Sequence, residues 1–408
     1  MATLITPAVE GELRADGATD VGMQQRDSTV DVTRGLIVAL MALDHVRMYF
    51  TAAQFDPTDL DHTNLGYFVA RWVTHLCAPG FFFIAGLSGG LYESRAGRPA
   101  ASRLFLVRGL FLVAMEILFF GIAWSFNPGW WWFGVIAGLG ASMIAMSALM
   151  FLPKPLLFVL GAAFTLLHNN LWHAIAPASD TLNTLIYSGG LGQMGAAGPH
   201  IVLYPLLPWL ALMAMGYAVT PMLMRRDDRS SIRLLGAGAA ALALFVLVRL
   251  VGYGQGRHGF ELGQDAVHGF MSFMNVQKYP PSLQFTLATL GLLLMFLAAL
   301  RLVHNAGTLE LGSKNPLRVY GQVPFFFYLV HIPLIHAAAL LTASALGWPT
   351  DYLFWHDVGP NLEPPNGYGL PLAGVVAVWL CVLAVLYPLC AYFGQLKRSR
   401  RSWWLKLL

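Results

Sequence analysis

Apolar stretches long enough to cross a bilayer recur ten times along this chain. A helix needs about 20 consecutive apolar residues to span the hydrocarbon core, because each residue adds only about 1.5 Å. The stretches fall at about residues 31–50, 66–92, 102–121, 130–152, 155–176, 200–222, 231–252, 283–304, 316–345 and 371–396. In lipid, every backbone polar group must be satisfied within the protein, so only helices and closed barrels are open to such a chain. No alternation of polar and apolar residues is sustained, which argues against a barrel. The expected fold is all-α, a polytopic membrane bundle of about ten transmembrane helices. Composition agrees: 57% of the 408 residues are hydrophobic and 11% are charged, against about 25% charged in soluble domains.

Basic residues set the expected orientation. ESRAGRPAASR follows the second stretch, Lys154 the fourth, MRRDDRSSIR the sixth, and Arg301, Lys314 and Arg318 bracket the link after the eighth. The chain closes on KRSRRSWWLKLL. All these links lie on one side, which positive-inside reasoning assigns to the cytoplasm along with both termini. The opposite links, including FDPTDLDH and FNPG, are acidic or neutral apart from Arg257 and Lys278. Three units follow: a flexible cytoplasmic tail over 1–27, a membrane domain over 28–396, and a basic, Trp-containing cytoplasmic tail over 397–408. Residues 1–27 lack the apolar core and cleavage site of a signal peptide. Trp130-Trp131-Trp132 and Trp403-Trp404 read as interfacial anchors, and Gly134 with Gly138 as a site of close helix packing. The net charge of +4 calls for no nucleic-acid partner. Cys77, Cys381 and Cys390 lie in apolar surroundings and suggest neither a disulfide framework nor a zinc site.

Polar residues inside the apolar stretches carry the functional signal, because an ionisable side chain at the centre of a membrane helix costs about 2.5–3.5 kcal/mol on insertion scales. The first stretch, DVTRGLIVALMALDHVRMYF, holds Asp31, Arg34, Asp44, His45 and Arg47. Arg34 and His45 are eleven residues apart, about 20° from alignment and about 16 Å along the axis. One face thus links a cation near the cytoplasmic end to an imidazole past the midplane, with Asp31 on nearly the same stripe. Asp44 and Arg47, three apart, are placed to pair. In the second stretch Arg71 and His75 share a face, and Pro79 interrupts the helix. Glu116 stands alone in LVAMEILFF and calls for a cation, with Arg71 or a histidine as the expected partner. His331 and His336 flank Pro333 in PFFFYLVHIPLIH. Of the twelve histidines, only His304 maps to the cytoplasmic side, so a chamber opening outward is expected. Histidine suits general-base chemistry, and a neighbouring cation suits an oxyanion. No short paired spacing supports a metal site. An intramembrane proton relay in a secondary transporter or flippase is the alternative these residues leave open.

Several of these stretches, in this order, resemble a bacterial membrane-protein family related to heparan-alpha-glucosaminide N-acetyltransferase, in the superfamily that also holds the acyltransferase-3 proteins. They are Arg26 with DVTRGL, the Arg34–x10–His45 spacing, RWVTHLCAPGFFFIAGLSG at 71–89, KYPPSL at 278–283 and GQVPFFFYLVHIPLIH at 321–336. The resemblance implies a multi-pass protein of the bacterial inner membrane. It would pass an acyl group, an acetyl in the related proteins, from cytoplasmic acetyl-coenzyme A to an amine or hydroxyl of an extracytoplasmic acceptor such as an amino sugar or glycan. Carried over by position, His45 is the catalytic histidine and Arg34, supported by Asp31, binds the donor. In the heparan-acetylating enzymes the key histidine follows the first conserved helix, where His62 is nearest here. The base therefore stays open between His45, His62 and His75. Asp44 and His331 complete the candidate catalytic set, and Arg71, Glu116, His62 and Lys278 are candidates for holding the acceptor. The acceptor's identity and the oligomeric state are not legible.

Overall fold

The computed structural model describes residues 27–408 except 127–130, 178, 194–198, 226, 257–258, 264, 355–363, 401, 403–404, 406 and 408. The expected N-terminal tail up to Arg26, Trp130 and Trp403-Trp404 thus lie outside the described residues. The chain is helical nearly throughout. Helix α1 spans Ser28–Phe50, α2 Leu65–Trp72, α3 Cys77–Ala96, α4 Arg98–Met115, α5 Val135–Leu149, α6 Lys154–Ile175 and α7 Leu206–Ala218. They are followed by α8 Asp228–Leu250, α9 Ala266–Met274, α10 Leu283–Asn305, α11 Pro316–Gln322, α12 Pro324–Leu346 and α13 Leu372–Ser399. Among the described residues, seven helical segments are long and apolar enough to cross a membrane, and α5 and α7 are shorter apolar helices. Their outer faces keep Leu118, Val159, Leu247, Leu341, Leu380 and Tyr392 exposed. This outward greasiness is what lipid requires of a multi-pass membrane protein.

Local chemistry explains where the helices begin and break. Asp27 caps α1 by accepting from the backbone N–H of Thr29 at 3.0 Å, and its other oxygen meets Arg301 of α10 at 2.6 Å. Ser282, after Pro280-Pro281, caps α10 through the N–H of Phe285 at 3.1 Å. Pro79 has no N–H to give the carbonyl four residues back. The turn Val73–Leu76 accordingly tightens into a 3₁₀ segment that joins α2 to α3. After α4 the helix widens into a π-turn over Glu116–Phe120.

Helix α1 is the hub. It packs against α3, α10, α11, α12 and α13, and most of its 23 residues are buried. Close approach depends on glycine. A Cβ on Gly35 would strike the carbonyl of Leu317 in α11, while Gly86 of α3 and Gly216 of α7 lie reciprocally against the carbonyls of Met213 and Phe83. Gly138 likewise lies against Tyr204.

A small sheet is the departure from the all-α expectation. Strand β1 (Trp131–Phe133) runs parallel to β3 (Pro199–Val202), and β2 (Gly190–Gln193) runs antiparallel to β3, in the order β1-β3-β2. Trp132 is turned inward by this sheet and packs on Trp124 at 5.6 Å between ring centres. It is buried rather than held at an interface, whereas Trp131 is exposed.

Gly86→Ala is expected to lower the unfolding midpoint by several degrees and reduce the yield of monodisperse protein. Overpacking costs about 1–3 kcal/mol, and here the obstacle is backbone that cannot rotate away. Gly236→Ala, in α8 with open space around it, is expected to be neutral or to stabilise by up to about 1 kcal/mol. Thermal unfolding in detergent, followed by tryptophan fluorescence, checks both; equal midpoints would refute the close contact.

Candidate active site

Two imidazoles meet at the centre of the bundle. Nδ1 of His45, on α1, lies 2.7 Å from Nε2 of His331, on α12. Nδ1 of His331 faces the carbonyls of Tyr328 at 2.7 Å and Phe327 at 3.1 Å. A carbonyl only accepts, so the network assigns the His331 proton to Nδ1. In the neutral ring Nε2 of His331 then accepts from Nδ1–H of His45, leaving a lone pair on Nε2 of His45. Among the described residues nothing hydrogen-bonds that nitrogen. Trp124 stands edge-on to His45 at 4.7 Å, and Tyr328 lies 5.0 Å from the His331 ring. His331 is fully buried and His45 nearly so.

A charged layer lies beside the pair. Asp44 is gripped by Nη1 of Arg71 at 2.9 and 2.7 Å and by Nη2 of Arg47 at 3.0 Å. The sequence pairing of Asp44 with Arg47 is thus present, with Arg71 added from α2. Lys278 is buried, lies 5.0 Å from the Tyr279 ring centre, and acts electrostatically on both Asp44 and His75. His75 is buried against Phe285, and its Nδ1 is buried with no hydrogen-bond partner among the described residues. Three cations thus face one carboxylate.

At the basic end of the bundle a cavity of about 440 Å³ is lined by Asp31, Arg34, Ser88, Arg95 and Arg108 among others, and it reaches Tyr328. Arg34 donates to Asp31 at 3.2 Å, to the Gly321 carbonyl at 3.0 Å and to Ser88 at 2.8 Å. Arg34 and His45 both turn toward the chain segment carrying Gly321 and His331. The Tyr328 ring, 6.4 Å from that of His45, is shared between the cavity wall and the surroundings of the histidine pair.

The remaining candidates lie apart. Glu116 is fully buried; its Oε2 takes the N–H of Ala137 at 2.8 Å, its Oε1 has no hydrogen-bond partner among the described residues, and neither Arg71 nor a histidine pairs with it. The start of α5 offers unsatisfied N–H groups and a positive dipole end, which favour a carboxylate there without a cation. Arg71 is already committed to Asp44. His62 sits exposed on the loop after α1 and pairs with Asp59 at 2.7 Å; this bond holds the Asp59 carboxyl below its ordinary range. His336 is buried and stacks on Phe126 at 3.8 Å. Tyr328 and Arg108 escaped the sequence analysis, although Tyr328 lies one helical turn before His331 and Arg108 is a lone charge in LFLVRGLFL.

Fold and site together define a polytopic helical membrane protein with a buried histidine pair at its centre and a cationic cavity at one end. The family model described as heparan-alpha-glucosaminide N-acetyltransferase, catalytic, matches residues 26–252. That is more than half of the chain, and the chain belongs to this family of membrane N-acetyltransferases. A search of curated proteins found no match. The matched stretch contains Arg34, Asp44, His45, His62, Arg71, His75 and Glu116, while Lys278 and His331 fall beyond it.

Removing Asp44 leaves two buried guanidinium groups without their carboxylate, at a cost of about 3–5 kcal/mol, whereas removing Arg71 leaves Asp44 its bond to Arg47 and costs less. Asp44→Asn and Arg71→Gln are each expected to lower the unfolding midpoint, and the double variant to lie above the sum of the two losses. A double-mutant cycle in detergent should give a coupling of about 0.5–3 kcal/mol; strict additivity would dissolve the pair.

Proposed function

We propose that this chain is an integral-membrane acetyltransferase. It moves an acetyl group from cytoplasmic coenzyme A to an amine or hydroxyl on an extracytoplasmic acceptor. The observation that carries this reading is the His45–His331 hydrogen bond, which leaves Nε2 of His45 as a lone pair in buried surroundings, adjoining a cationic cavity at Tyr328. Counting α1, α5 and α7 with the seven long apolar segments gives the ten crossings of this reading, in which both chain ends lie on the basic, cytoplasmic side.

The cavity suits such a donor. Its mouth carries Arg95 and Lys397, its wall is apolar at Ile84, Phe105 and Leu139, and the buried Nε of Arg108 has no hydrogen-bond partner among the described residues. Acetyl-coenzyme A supplies an activated acyl carbonyl and a thiolate leaving group. His45 takes the proton from the attacking amine or hydroxyl at Nε2, while Nδ1–H stays on His331 and keeps the ring oriented. His331 passes that constraint to the backbone of α12. Arg71 and Lys278 supply positive potential beside the centre, where an oxyanion would develop. Asp44 holds Arg71 in place, and His75 with Lys278 lines the acceptor's side.

His45→Ala is expected to lower thiol release from acetyl-coenzyme A, in the presence of an amino-sugar panel, by about 10²–10⁴-fold. His331→Ala should fall between that variant and wild type, since it removes only the orienting bond. Neither residue lines the cavity, so coenzyme A binding should persist in both. Full activity in His45→Ala would remove histidine catalysis at this position, and wild-type protein with no calorimetric affinity for coenzyme A would remove the donor.

A further inference from the structure

The inner cavity holds an imbalance of charge that its own residues do not resolve. Two acids line it, Asp27 and Asp31. Asp27 is held by Arg301 at 2.6 Å and Asp31 by Arg34 at 3.2 Å. Arg34 is itself tied to Ser88 and Gly321, so its guanidinium binds α1 to α3 and α11. Arg95 and Arg108 also line the cavity, and among the described residues neither makes an ion pair or a hydrogen bond.

Arg108 is the more telling of the two. It lies ten residues into α4, about 15 Å from Arg98 along the axis. Leu104, Phe105 and Leu112, one turn before and after it, line the same cavity, so Arg108 belongs to the cavity-facing stripe. Gly109 is committed to packing on the carbonyl of Gly140 in α5. A guanidinium at this depth, with no partner among the described residues, carries an insertion cost that those residues do not offset. Its planar fork matches phosphate oxygens, which accept two parallel hydrogen bonds. Arg95, in the last turn of α3, presents a second guanidinium nearer the mouth. Ile84, Phe105 and Leu139 form apolar wall around them. The occupant that fits is an elongated molecule with two separated phosphate groups on an otherwise uncharged body.

We infer that Arg108 receives the pyrophosphate of a coenzyme A donor and Arg95 its ribose 3′-phosphate, with Arg34 serving as a structural tie in the wall. The inference rests on the acetyltransferase reading for the identity of the donor, and on the cavity alone for its phosphate chemistry. It sets the direction of the bound donor, with the nucleotide at the basic mouth and the thioester arm running toward Tyr328.

Calorimetry on the purified full-length protein in neutral detergent tests this with coenzyme A, 3′-dephospho-coenzyme A and inorganic pyrophosphate as probes. Arg108→Gln is expected to weaken both coenzyme A forms by about 10- to 100-fold, the range for hydrogen bonds to a charged group. Its salt dependence should be shallower than that of the wild type. Arg108→Lys should recover part of the affinity, which separates loss of charge from loss of fold. Arg95→Gln should weaken coenzyme A but leave the 3′-dephospho form unchanged. Coenzyme A binding that is indifferent to Arg108→Gln would overturn the inference and leave the acetyltransferase reading standing. Pyrophosphate binding that needs Arg108, in a protein that ignores coenzyme A, would uphold the phosphate site and remove that donor. Nanodiscs with phosphatidylglycerol supply the lipid arm: Arg108-dependent stabilisation by that lipid, with none by coenzyme A or pyrophosphate, would overturn the inference in favour of a headgroup.

Discussion

Ionised and polar groups on a buried helix must find partners inside the protein, because hydrocarbon offers none and an unmet charge costs several kcal/mol. Helix α1 carries Asp31, Arg34, Asp44, His45 and Arg47, and three of them reach outward to fix another part of the bundle. Arg34 reaches α3 and α11, Asp44 reaches Arg71 on α2, and His45 reaches His331 on α12. Just ahead of the helix, Asp27 reaches Arg301 on α10. Lipid is as apolar as leucine, so hydrophobicity alone cannot choose the rotation of a helix about its axis in a membrane. These ties make that choice. The stripe that carries Arg34 and His45 therefore faces protein, and the helices that answer it assemble around α1.

The consequence is a molecule with two chemically distinct compartments meeting near one side chain. On one side of Tyr328 lies the cationic cavity of the basic end. On the other lie the histidine pair and the layer of Asp44, Arg71, Lys278 and His75. This division keeps the cations of the cavity and the neutral histidine pair in separate surroundings. It also explains why the histidines are so dry: Trp124, Phe120 and Phe327 pack around Tyr328, His45 and His331.

Helical geometry is local, and what depends on it was legible in the sequence. The eleven-residue spacing of Arg34 and His45, the break at Pro79 and the pairing of Asp44 with Arg47 all follow from residues within a few turns of one another. What escaped depends on distant contacts. The hydrogen-bond partner of Glu116 is the backbone N–H of Ala137 at the start of α5, and a sequence marks side chains far better than it marks free N–H groups. The strands of β1, β2 and β3 are three or four residues long, too short for alternation to register, so Trp132 looked like an interfacial ring instead of a buried one. His331 was named from its place in an apolar helix, but its bond to His45 spans 286 residues. No local pattern could announce it.

The pairing of two imidazoles answers a further constraint. Asp44 adjoins His45 in sequence, yet successive residues on a helix point about 100° apart, and Asp44 is held away by Arg71 and Arg47. A carboxylate placed against His45 would bring an ion into the driest part of the bundle. A second neutral ring orients His45 through Nδ1 without adding charge, and its own Nδ1–H donates to backbone carbonyls that cannot titrate. The loss is electrostatic support, since an imidazole stabilises a developing imidazolium less than the carboxylate of a Ser-His-Asp triad does. Under the proposed acetyl transfer, transition-state charge would then be met from outside the pair, by the surplus of cations around Asp44.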